Sequence, residues 1–126
     1  MKSFFKGTVP FLLFATVASF PLAQVCAADT SAEGAPLYRN VPGDKGKYYL
    51  IKQDRKGSIV TAVHKRVGVD TVGFSQTEIN CAKKQYRDLG YGEDGPASIR
   101  PYTPVGNWTD LVAGSSKSDL VNFVCR

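Results

Sequence analysis

The opening 28 residues have the build of an export signal, and this decides how much chain remains to fold and under which redox conditions. Lys2 and Lys6 make a short basic start, an apolar run follows from Val9 to Phe20, Pro21 ends it, and the small residues Ala23, Ala27 and Ala28 come next. That order of charge, apolar run and small-residue exit is the pattern of a cleaved signal. Val25 and Ala27 suit the positions three before and one before a cut, which places cleavage after Ala27, with a cut after Ala28 the close alternative. A single transmembrane anchor is the competing reading, but a run of about a dozen residues falls short of the roughly 20 that span a bilayer. The expected organisation is a signal over 1–27, a flexible leader and turn over 28–46, and a single domain over 47–126. Removing 27 of the 126 residues leaves 99, one domain's worth of chain and too little for a multi-domain enzyme.

Export gives the cysteines their meaning. If Cys26 leaves with the signal, Cys81 and Cys125 remain, and an exported domain with two cysteines is expected to join them in a disulfide, with two buried free thiols as the alternative. The bridge would close a loop of 44 residues, which loop-closure entropy values at about 4 kcal/mol less any strain. Cys26 itself lies in the zone where a lipoprotein signal carries its lipidated residue. However, Val25 is not the small residue wanted just before that cysteine, and Ala23 is not the aliphatic one wanted three before. Attachment to a membrane is therefore expected only if Cys26 is lipidated.

The chain is 43% hydrophobic and 21% charged, a balance that excludes low-complexity disorder, collagen and coiled coil. Its 16 Lys+Arg exceed 11 Asp+Glu, and loss of Lys2 and Lys6 with the signal leaves 14 against 11, a net charge of +3. So mild an excess favours anionic surfaces without implying nucleic acid.

Residues 28–36 are small and polar and read as the leader, and Pro42–Gly46 is a turn cluster. Lys47–Gln53 is aromatic and aliphatic, Ser58–Val67 is rich in β-branched residues, and the Gly-containing stretch Asp54–Gly57 between them predicts a hairpin. In Thr71–Cys81 the apolar alternation changes face, which predicts a bulge or strong twist near Gly73. Lys83–Gly92 either continues that strand or forms another, with Gln85, Arg87, Leu89 and Tyr91 on one side. Glu93–Pro104 is the longest irregular stretch. At the end, Ser116 is a plausible N-cap with Asp119 three residues on, and Leu120, Phe123 and Val124 share a helical face. A final strand over the same apolar residues is the alternative. The expected fold is α+β: an antiparallel meander of four to six strands with a short C-terminal helix tied to a strand by the disulfide.

Catalytic motifs are sparse. His64, the single histidine, is placed in mid-strand with no nucleophile motif beside it, so it reads as a half-buried strand residue. Glu93 and Asp94 are adjacent acids in a turn rather than carboxylates facing across a cleft. Gly90-Tyr91-Gly92 lacks the following helix and Lys-Ser/Thr pair of a phosphate loop. Asn107-Trp108-Thr109 matches a glycosylation sequon, and Trp108 is expected to pack under the C-terminal helix. One histidine and a disulfide pair provide no metal set, and no cofactor is expected. The basic residues are more suggestive: Arg55 and Lys56 at a hairpin tip, Lys65 and Arg66 ending a strand, and Lys83, Lys84 and Arg87 after the first cysteine. With tyrosines interleaved, such a set suits acidic glycans or acidic proteins, and a solvated outer face is its plainer reading.

Lys47-Tyr48-Tyr49-Leu50, the strand around Ile59–Val63, the stretch EINCAKKQYRDL at 78–89, Trp108, and the ending AGSSKSDLVNFVC at 113–125 follow one another in order. In this order of parts the chain over residues 47–126 resembles the surface-adhesin protein E family of Gram-negative bacteria. The resemblance implies an antiparallel sheet with a disulfide-tied C-terminal helix. It also implies an exported or surface-displayed protein that binds extracellular-matrix or serum proteins. No catalytic residue carries over, and Lys83, Lys84 and Arg87 are the positions of matching character. The expectation is a non-enzymatic binding protein of periplasm or cell surface. Its binding set is Lys65, Arg66, Lys83, Lys84 and Arg87, and its partner a protein or acidic glycan. The competing expectation is a periplasmic inhibitor or immunity-type protein with the Glu93–Pro104 loop as its plug.

Overall fold

A computed structural model of the chain describes Gly7, residues 34–39 and residues 41–126. The signal expected over 1–27 (Gly7 apart), Cys26 and the first part of the leader lie outside the described residues. The remainder is a seven-stranded antiparallel sheet with one α-helix, α1 (Ser116–Val124), on one face. Six strands run as a meander in chain order: β1 (Ala35–Leu37), β2 (Lys47–Lys56), β3 (Ile59–Val67), β4 (Val72–Asn80), β5 (Gln85–Gly92) and β6 (Arg100–Pro101). The seventh, β7 (Thr109–Asp110), shares the outer edge of β5 with β6. Among the described residues no helix is long and apolar enough to cross a membrane.

The leader expected over 28–46 holds a strand. Leu37 is buried in the core and pairs with Tyr48, and Pro36 is tolerated because β1 is an edge. Three residues carry too short a pattern to reveal a strand in advance. The first hairpin is also tighter than expected. Asp54, Arg55 and Lys56 continue β2 opposite Thr61, Val60 and Ile59, and only Gly57-Ser58 turn. A two-residue hairpin loop needs positive φ, and Gly57 supplies it at 60°. The register change does occur, but not at Gly73. It falls between Gln76 and Thr77, where Leu89 is the extra residue of β5. As a result Arg87 and Tyr91, expected on one side, face opposite sides of the sheet. Lys83–Gly92 resolves into a turn and a separate strand that returns antiparallel along β4.

The C-terminal segment is a helix rather than a strand. Its N-cap is Ser115, one residue before the expected Ser116, and the Ser115 hydroxyl accepts from the Ser118 amide at 3.1 Å. Leu120, Val121 and Val124 are its buried apolar side chains, with Ser118 buried beside them. The apolar three close on Leu37, Leu50, Val60, Ala62 and Ile79 from the sheet, while Phe123 is only partly buried. Arg55 donates to the Val124 carbonyl and so satisfies one of the helix's last acceptors. The Cys81–Cys125 disulfide, Cα to Cα 5.5 Å, joins the end of α1 to the residue after β4. At the other end of the helix Arg39 pairs with Asp44 at 2.8 Å and donates to the Gly114 carbonyl at 3.0 Å. The chain before β2 is thereby held to the helix start.

Candidate functional site

The helix covers one face of the sheet, and strand alternation sorts every candidate residue to one side or the other. Val60, Ala62, His64 and Arg66 of β3 face the helix, with Thr77 and Ile79 of β4 beside them in register. Lys65 faces the opposite, open side, where it pairs with Tyr49 and its ammonium lies 5.5 Å from the Tyr49 ring centre. Lys52, opposite Val63, is on that side too. So is Arg87, whose Nε donates to Glu78 at 2.7 Å and whose guanidinium stacks 4.6 Å from the Trp108 ring. Trp108 therefore lies against the open face, not under the helix as expected, because its cationic partner lies between Tyr86 and Asp88 on the strand and points away from α1.

The five basic residues expected to act together do not form one patch. Lys65 and Arg87 share the open face. Arg66 is on the helix side, and its Nε donates to the Tyr48 hydroxyl at 3.2 Å. Lys83 and Lys84 are exposed in the β4–β5 turn, at the far end of the sheet from Arg66. Lys52, not singled out from the sequence, joins the open-face set. Its signal was available in principle as an alternate position of β2, but Ile51 is a bulge residue that shifts the alternation.

A cavity of about 240 Å³ lies between α1 and the helix-side face of the sheet. At its inner end is a polar network that no motif announced. The hydroxyl of the fully buried Thr77 donates to Asp88 at 2.7 Å and accepts from the Lys117 ammonium at 2.9 Å. Lys117 is also ion-paired with Asp88. The His64 Nε2 lies 2.9 Å from the same hydroxyl oxygen. Because that hydroxyl has a single proton and gives it to Asp88, Nε2 must carry the hydrogen and donate. Burial, with the Lys117 charge adding to it and Asp88 opposing, holds the imidazole down at a pKa of about 4, so the ring is neutral near pH 7. Burial also lowers Lys117, and its bond to Asp88 restores part of the loss.

Arg66 and Tyr91 line the outer part of the cavity. Tyr91 lies over Gly73, where a Cβ would come within 2.7 Å of the phenol oxygen, so a larger residue there would push the ring aside. The Tyr91 hydroxyl lies 3.2 Å from a Glu93 carboxylate oxygen. Among the described residues no three His, Cys, Asp or Glu side chains are grouped to hold a metal ion. The Glu93–Pro104 segment is not irregular throughout. It contains a short 3-10 turn at Pro96–Ser98 and the strand β6, and the Ser98 hydroxyl accepts from the Asp94 amide and donates to the Gly95 carbonyl. No protein-family model, curated protein or solved structure matches the chain.

Proposed function

We propose that this chain is an exported, non-enzymatic binding protein, adhesin-like, that engages an acidic protein or glycan through the open face of its sheet. The observation that carries the reading is the grouping of Lys52, Lys65 and Arg87 with Tyr49 and Trp108 on the side away from the helix. Cations held over aromatic rings present charge and a flat apolar surface together, which suits carboxylate- or sulfate-bearing chains. The resemblance of residues 47–126 to the surface-adhesin protein E family supports the same reading, as does the signal-like pattern of residues 1–27.

The test is binding to immobilised heparin as a model acidic chain. The wild-type protein is expected to bind at low salt and release as salt rises, because exposed charge contacts are screened. Reversing Lys52→Glu and Lys65→Glu together is expected to weaken binding by about tenfold or more. Reversing Lys83→Glu in the distant turn should change it little. Equal losses from both variants, or binding indifferent to salt, would overturn the assignment to this face.

A further inference from the structure

We infer that the cavity between α1 and the sheet is a binding site for a small amphipathic organic acid, its carboxylate recognised by Arg66, its apolar body by Leu37, Leu120, Tyr48 and Tyr91, with the Lys117 ammonium adding positive charge at the inner end. This goes beyond the open-face reading and uses different residues on the other side of the sheet.

The argument begins with charge. Arg66 and Lys117 are positive, Asp88 is the one acid lining the cavity, and His64 is neutral. Asp88 is taken by Lys117. Among the described residues no acid lies within ion-pair distance of Arg66: its Nε donates to the Tyr48 hydroxyl, its guanidinium lies 5.9 Å from the Tyr48 ring centre, and Asp44, which accepts from that same hydroxyl, acts on it only from beyond pairing distance. Among the residues lining the cavity, the positive charge of Arg66 therefore has no ion-pair partner. The hydrogen-bond inventory agrees. The Lys117 ammonium has three protons and gives two, to Thr77 and Asp88. The terminal nitrogens of Arg66 and the hydroxyls of Ser75 and Ser116 are further donors along the wall. A site with cationic donors in surplus is made for an anion, and a planar guanidinium matches a carboxylate in two-pronged fashion.

Size and the other wall narrow the class. At about 240 Å³ the cavity lies below the roughly 300–1,000 Å³ of clefts for drug-sized ligands. Leucine side chains and two phenol rings supply an apolar lining that a bare inorganic oxyanion would leave unused. A free acid with a small ring or short chain uses both walls at once.

The experiment is a titration of protein expressed from the full coding sequence, followed by amide proton–nitrogen spectra, with benzoate as the probe and benzamide as its uncharged isostere. Benzoate is expected to shift the amides of Gly73, Ser75 and Lys117 and to saturate. Benzamide is expected to bind at least about tenfold more weakly, because it offers the cations no charge. Arg66→Gln, a change at an exposed side chain, should weaken benzoate to a similar degree, while Lys83→Gln leaves it unchanged. Equal binding of benzoate and benzamide would overturn the proposal, as would shifts that fall elsewhere or never saturate, or an Arg66→Gln protein that binds as well as wild type. Heparin binding through Lys52 and Lys65 is read separately and stands or falls on its own.

Discussion

At the residue scale, His64 shows how a side chain that looks unremarkable in a strand acquires its chemistry from distant partners. Thr77 lies on the next strand, Asp88 on the one after, and Lys117 on the helix. No local spacing links them, and only the packing of α1 over β3–β5 brings them together. The consequence is a defined pH dependence. The unfolded chain takes up a proton on His64 near its ordinary pKa of 6.5, whereas the folded chain does not until about 4. Between those values the unfolded state binds more protons, so stability falls as pH falls through this window, and above it the group contributes no slope. The full span corresponds to about 3 kcal/mol. Urea melts of wild type and His64→Gln across that range test it, since the carboxylates titrate in both proteins and cancel in the difference. A wild-type profile no steeper than that of the variant would refute the assignment.

At the scale of elements, the long strands were legible and the boundaries were not. Lys47–Gln53 and Ser58–Val67 have the aromatic and β-branched content of strands, and β2 and β3 occupy them. The charged residues Asp54, Arg55 and Lys56 resemble turn residues, yet they extend β2 because the ladder with Thr61, Val60 and Ile59 continues to the two-residue turn. The bulge at Leu89 was invisible because it is decided across strands. Gly90 packs so closely on the β6 backbone that a Cβ would come within 2.6 Å of the Arg100 carbonyl oxygen. The helix start was legible to one residue. Ser115 and Ser116 offer the same hydroxyl, and only the helix entry geometry selects Ser115, whose backbone is extended. Ser115→Ala is accordingly expected to cost about 1 kcal/mol in thermal or urea unfolding. Ser116→Ala should cost clearly less, and the reverse order would place the cap where the sequence alone suggested.

At the scale of the whole molecule, the disulfide is the tie that holds the helix end to the sheet. Cys81 and Cys125 are 44 residues apart, and chain-entropy arguments give the bridge about 4 kcal/mol. Cys81→Ala with Cys125→Ala is therefore expected to lower unfolding stability by about 3–4 kcal/mol, measured against the oxidised wild type. An unchanged midpoint would mean that the packing of Leu120, Val121 and Val124 with the polar contacts of Arg55 and Lys117 holds α1 without the bridge. The pairing was legible because, on the expectation that Cys26 leaves with a signal, two cysteines remain and have one intramolecular bridge to make. Meander and helix were legible because periodicity and turn residues are local properties, set by neighbours a few positions away. The location of the proposed binding surfaces was not. Lys65 and Arg66 are adjacent in sequence and face opposite sides of the sheet. Arg87 and Tyr91 were to share a side and are parted by a bulge. Lys117 meets Asp88 only across the layer between helix and strand. Which side a residue faces depends on register and on the element packed above it, and these are settled by burial of the apolar face as the chain closes on itself.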